Sequence, residues 1–155
     1  MVSNEEHVTF VTISVPRLRN LQKLIPAVLP SVDRVIVVIG VKEEESISYL
    51  KSLGEKVTVI YNEWPGDFTP QFNIYLPHIT GGWVLVCDDD EIPSPEMLQI
   101  LKPLIRESTS GHRFDVVEFR CEMVGHGYSE IHNRSDEDEV YYREIFFRWT
   151  KLCVA

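Results

Sequence analysis

Along this chain, runs of consecutive apolar residues alternate with stretches in which apolar positions recur every three or four residues. Val8 to Val15 is a β-branched run ending at Pro16, the pattern of a strand buried on both faces and closed by a turn. Leu18, Leu21, Ile25 and Val28 then predict a helix packed on a sheet, with Pro26 expected to kink it. Arg34 to Val41 reads as a second buried strand, Ile47, Leu50 and Leu53 as a short helix stopped by Gly54, and Lys56 to Tyr61 as a third strand. After a loop over residues 62–67, Thr69 as N-cap and Pro70 as first helical residue open a helix with the stripe Phe72, Leu76 and Ile79, which Gly81-Gly82 ends. Trp83 to Cys87 is a fourth apolar strand, and Ser94-Pro95-Glu96 repeats the cap-and-proline signature before Met97, Leu101, Leu104 and Ile105. Four such strands alternating with helices predict an α/β fold: a mostly parallel central sheet flanked by helices, with right-handed crossovers.

Beyond this the pattern changes. Phe114 to Arg120 and Tyr141 to Trp149 read as strands with mixed faces, a short mixed β extension at the C-terminal side, joined by a polar stretch from Gly125 to Glu139 without apolar periodicity. A connection that long is functional or mobile in most compact domains. At 155 residues the chain fits a single domain over 1–155.

The formal net charge of −9 argues against nucleic acid as a partner, since phosphate backbones are bound by clustered Lys and Arg. No apolar run approaches the roughly 20 residues of a transmembrane helix, and Met-Val-Ser-Asn-Glu-Glu-His lacks the order of a signal peptide. The expectation is a soluble, cytoplasmic protein. Cys87, Cys121 and Cys153 are far apart with no C-x-x-C, so neither a disulfide framework nor a zinc site is indicated.

The charge is concentrated in three runs, Glu43 to Glu45, Asp88 to Glu91 and Asp136 to Glu139. The middle run follows a buried strand directly, and ligands of open α/β sheets bind beyond the carboxyl ends of the strands. Adjacent carboxylates there repel unless solvated or neutralised, and their hard oxygens suit Mg²⁺ or Mn²⁺. The other reading is a solvated turn capping the next helix. If strand geometry persisted, Asp88 and Asp90 would point away from Asp89.

One stretch carries more. Trp64-x-x-Asp67-Phe68-Thr69-x-Gln71-x-Asn73, followed by Gly81-Gly82-Trp83-Val84-Leu85-Val86-Cys87-Asp88-Asp89-Asp90-Glu91, resembles the nucleotide-sugar-binding half of family 2 glycosyltransferases of the GT-A, Rossmann-like fold. The resemblance covers about residues 8–107 as a nucleotide-sugar-binding core and leaves 108–155 as a partial acceptor-side region, as in a short or truncated member. It implies metal-dependent transfer of a sugar from a nucleoside diphosphate donor, a UDP-sugar by preference, to a hydroxyl acceptor on a glycan, lipid or protein, with inversion. Mn²⁺ or Mg²⁺ is the implied cofactor, with Asp90 as ligand and Asp88 meeting the ribose or reaching the metal through water; Asp89 could exchange roles with either. Pro16 and Arg17 fall where similar enzymes contact the nucleotide, and Gln71 and Asn73 match positions lining the donor pocket. Asn73 could equally tie its helix to a loop, and Trp64 could be a lid or a ligand platform. The chain departs from the family at Phe72, where an arginine is frequent, and after Gly40-Val41, where many relatives place an aspartate for the base.

An inverting transferase also needs a general base near the acceptor hydroxyl. The options are Glu122, His126, His132 and Asp136 to Glu139, with Glu122 and Asp136 as the base candidates. A non-catalytic nucleotide-sugar-binding module is the alternative. A phosphohydrolase using Asp-x-Asp is a weaker rival, because there the motif follows the first strand of the sheet.

Overall fold

The computed structural model describes residues 4–111, 113–122 and 140–149. Its elements are β1 (Val8–Ser14), α1 (Leu18–Val28), β2 (Arg34–Ile39), α2 (Glu44–Ser52), β3 (Val57–Tyr61), α3 (Phe68–Asn73), β4 (Trp83–Val86), α4 (Pro95–Ser110), β5 (Val116–Glu122) and β6 (Val140–Arg148). The strands form one six-stranded sheet in the order β3-β2-β1-β4-β6-β5. The first four run parallel, whereas β6 pairs antiparallel with both β4 and β5. The expected architecture is therefore present, and the mixed extension completes the same sheet.

The alternation of side chains along β1 and β4 divides the core into two layers. Val8, Phe10, Trp83, Leu85 and Cys87 face Leu21, Leu24 and Ile25 of α1, Leu50 of α2, and Leu98, Leu101 and Ile105 of α4. Val11, Ile13, Val84 and Val86 face the opposite side, where Tyr75 and Ile79 cover them. Burial on both sides explains why these strands are continuous apolar runs. Phe146 of β6 extends the first layer, its ring centroid 4.9 Å from that of Trp83.

Two local predictions change. Asp67, not Thr69, caps α3: it stands just before the first helical residue, Phe68, in extended conformation, and its Oδ1 accepts the otherwise free Thr69 N–H at 2.9 Å. That helix also stops at Asn73, and a separate 3₁₀ turn over Leu76–His78 carries the rest of the predicted stripe. Pro77 has no N–H with which to continue an α-helical ladder. In α1, by contrast, Pro26 lies on the exposed side and the helix runs on to Val28. The polar stretch 125–139, with His126, His132 and the candidate base Asp136, lies outside the described residues.

Candidate functional site

In the order β3-β2-β1-β4 the chain leaves β1 toward one edge, then crosses back to lay β4 on β1's other side. The carboxyl ends of β1 and β4 therefore flank a topological switch point, the place where open α/β sheets bind ligands. From β1 come Ser14, Val15, Pro16 and Arg17; from β4 come Cys87, Asp88, Asp89, Asp90 and Glu91. The two segments stay in register, since Val11 pairs with Val86 and Cys87 N–H donates to Val11 O at 3.2 Å.

Strand geometry does not persist through the aspartates. β4 ends at Val86, and Asp88 to Glu91 form a turn in which Glu91 N–H donates to Asp88 O at 3.0 Å. The Glu91 carboxylate reaches back to accept the Asp88 N–H at 2.9 Å, so the turn is closed by both backbone and side chain. This closure sends the two central carboxylates in opposite directions. Asp89 turns inward, is 6% exposed, and accepts a 2.6 Å hydrogen bond from the Ser14 hydroxyl. Asp90 turns outward, and its Oδ2 lies 3.7 Å from Arg17 Nη1, with both side chains 60% exposed. Asp88 is half-buried.

Their electrostatics follow from these positions. Burial pushes the Asp89 carboxyl above the usual carboxylate range; the Ser14 hydrogen bond and the Arg17 guanidinium oppose that rise, while Asp90 and Asp88 add to it. The Arg17–Asp90 pair is solvated, so it stabilises the fold little and both groups are open to exchange for a ligand. Arg17 is also the N-cap residue of α1 and contributes no side-chain cap, which leaves its guanidinium facing the crevice's acids.

The other expected donor residues lie at the same end of the sheet, toward β2 and β3. Gln71 is fully buried, and its amide is spent on Asn62: Oε1 accepts from Nδ2 at 2.7 Å, and Nε2 donates to the Asn62 carbonyl at 3.0 Å. In this arrangement it pins the loop after β3. Asn73 is exposed at the end of α3, and Pro16 is half-buried after β1. Trp64 donates its backbone N–H to Gly40 O at 2.8 Å and meets Phe68 edge-on, with centroids 4.9 Å apart. That places it as a lid over the end of β2. Val15, Val41, Tyr61, Phe68 and Ile92, all exposed, lie at or beyond the carboxyl ends of the parallel strands, an apolar rim along the end of the sheet that carries the acidic turn. The residues 118–122 of β5 pair with 140–144 of β6 beyond the level at which β6 meets β4, so the Glu122 backbone lies past the carboxyl end of β4.

Sequence reasoning missed Ser14 and Asn62, the partners that fix Asp89 and Gln71. A signal for Ser14 was available, because it is a small polar residue closing an otherwise buried strand at the ligand end.

The family model of Glycosyl transferase family 2 matches residues 10–152. Among solved structures, residues 1–349 of TarS from S. aureus superpose with a TM-score of 0.60 at 16% identity, over 78% of this chain and 37% of that one. A second TarS crystal structure gives a TM-score of 0.54 at 18% identity, over 71% of this chain and 20% of that one. The chain thus spans little more than a third of the length of the TarS structure it fits better. A CMP:2-keto-3-deoxy-manno-octonic acid synthetase, solved with CTP, superposes with a TM-score of 0.55 at 10% identity, over 92% of this chain and 74% of that one. No curated protein sequence matches the chain.

Proposed function

The chain belongs to glycosyl transferase family 2, and from that premise we propose that it binds a nucleoside diphosphate sugar, a UDP-sugar by preference, and transfers the sugar to a hydroxyl acceptor with inversion. The observation that carries this is the acidic turn of Asp88 to Glu91 facing Arg17 across the switch point between β1 and β4. A synthetase solved with CTP shares this fold, which is in keeping with a nucleotide ligand.

Mn²⁺ or Mg²⁺ fits the donor set. Among the described residues no group of three or more His, Cys, Asp or Glu converges as a cage. Mg²⁺ is ordinarily held by one or two carboxylates, with phosphate oxygens and waters filling the shell, and outward-facing Asp90 with half-buried Asp88 supplies that share. When bound, such an ion stabilises the negative charge that grows on the departing diphosphate. Arg17 adds a positive charge beside the same oxygens, one that can exchange its loose contact with Asp90 for the ligand. Pro16 and the apolar rim residues Val15 and Val41 give the donor a partly dry wall. For the acceptor proton, Glu122 is the base candidate whose backbone lies past the carboxyl end of β4; Asp136 is the other.

Titration calorimetry of the protein with UDP, GDP, CDP and ADP, with and without Mn²⁺, tests the binding reading, and Mn²⁺-dependent binding of UDP with a micromolar Kd is expected. Absence of Mn²⁺-dependent binding for all four rejects it. Release of UDP from a panel of UDP-sugars then separates a transferase from a binding module, and Glu122→Gln should reduce kcat without raising the Kd for UDP.

A further inference from the structure

We infer that Ser14 and Asp89 form a buried latch that joins the carboxyl ends of β1 and β4 and positions Arg17 and Asp90, so that Asp89 is a positioning residue and not a ligand of metal or donor. This rests on the site reading above. The backbone pairing of β1 with β4 extends to Val11 and Val86; past that point β4 ends and its chain turns toward α4, while β1 runs on to Ser14 paired with β2. The Ser14–Asp89 bond carries the connection farther, at 2.6 Å between side chains that are 1% and 6% exposed. Three residues after Ser14 stands Arg17, and one residue after Asp89 stands Asp90, so the latch sets the separation of the two groups that face the ligand.

Direction is what assigns the roles. The turn from Asp88 to Glu91 has one carboxylate committed beneath the sheet end and one in the open crevice. A cation or diphosphate approaching from solvent meets the exposed Asp90, whereas Asp89, 6% exposed, would have to swing out of its buried position, which takes the acceptor away from the buried Ser14 hydroxyl. A desolvated carboxylate is a costly choice for a tie, and the Ser14 donor with the nearby Arg17 charge offsets that cost. Ends of catalytic crevices are sensitive to small displacements, so loss of the latch should show in ligand affinity.

The test uses UDP with Mn²⁺ as probe. Ser14→Ala and Asp89→Ala should each weaken the Kd about tenfold, and the double variant should be no weaker than either alone, because both remove the same bond. Asp89→Asn keeps an oxygen acceptor for the Ser14 hydroxyl and should stay within about threefold of the parent. If Asp89→Asn instead falls as far as Asp89→Ala, or the double variant loses the product of the two single losses, Asp89 touches the ligand and the inference is overturned. Backbone amide exchange of the free protein decides the latch without any nucleotide. Ser14→Ala should accelerate exchange at 17–20 and 89–91 while leaving Leu24, Val37 and Leu101 protected, the latter serving as the check on folding. Unchanged exchange at 17–20 and 89–91 overturns the latch, whereas a parent protein that binds no nucleoside diphosphate overturns only the functional reading.

Discussion

Asp90 is the residue on which the proposed chemistry depends most, and its surroundings make it a clean target. Its side chain is 60% exposed and lies 3.7 Å from the equally exposed Arg17, so Asp90→Asn removes a charge with almost no structural consequence. The expected outcome is a melting temperature within about 2 °C of the parent, consistent with a change of under about 0.5 kcal/mol, together with at least a tenfold loss of Mn²⁺-dependent UDP affinity by calorimetry. Unaltered affinity would remove Asp90 from the metal site. That the acid run mattered was legible in the sequence, because three aspartates directly after a buried strand have few structural uses. Which of them faces the ligand was not. The answer depends on the turn that Glu91 closes through the Asp88 N–H, and on a serine 75 positions away. Gln71 makes the same point: its match to a sequence pattern marked a place in the fold, and the Asn62 pair spends its amide on holding that place.

Elements were most readable where period and punctuation agreed. Trp83 to Val86 was plain as a strand because four buried residues follow a glycine pair, and the glycines prove more specific than a helix stop. Gly82 sits at φ +77°, and a Cβ there would lie 2.2 Å from the His7 carbonyl oxygen, which itself accepts the Trp83 N–H at 2.7 Å. That bond starts the β1–β4 pairing, whose first partners are Val8 and Trp83. Gly82→Ala therefore meets both a left-handed backbone and immovable main chain, and a destabilisation of about 2–4 kcal/mol is expected from urea unfolding. Gly54→Ala, at φ +102° but with open space around its Cβ, meets only the backbone term and should cost about 1 kcal/mol. Equal losses at the two positions would refute the close-approach argument. The element that resisted reading was α3, where a single stripe of apolar residues hid a short helix and a separate 3₁₀ turn divided ahead of Pro77.

Across the whole molecule, the two ends of the parallel strands are built differently. The carboxyl ends carry the acidic turn, the solvated Arg17 and an apolar rim; the amino ends carry a charged clasp that fastens three elements together. There Asp33 Oδ2 accepts the Val8 N–H at 2.8 Å and the Lys102 ammonium at 2.7 Å, and Lys102 also donates to the Glu6 carbonyl at 2.9 Å. β1, the entry to β2, and α4 thus meet at one carboxylate, far along the strands from the crevice. Burial alone would raise the Asp33 pKa, but the Lys102 hydrogen bond, the Val8 N–H and the Lys102 and His7 charges outweigh it and hold the carboxyl below its ordinary 3.8. A depressed carboxylate binds fewer protons folded than unfolded, so its stabilisation is complete above the ordinary value and fades as pH falls through the lowered one. Lys102→Met keeps the stem of the side chain and deletes the charge. At pH 7 the variant should be less stable than the parent in urea, and the gap should narrow as the pH is lowered below 4, where Asp33 becomes protonated in the unfolded chain and then in the folded one. A gap that stays constant with pH would mean that Lys102 acts through packing alone. Because the clasp lies at the opposite end from the acidic turn, the same variant should bind UDP and Mn²⁺ at pH 7 as the parent does, which separates the stability of the scaffold from the chemistry at its carboxyl edge.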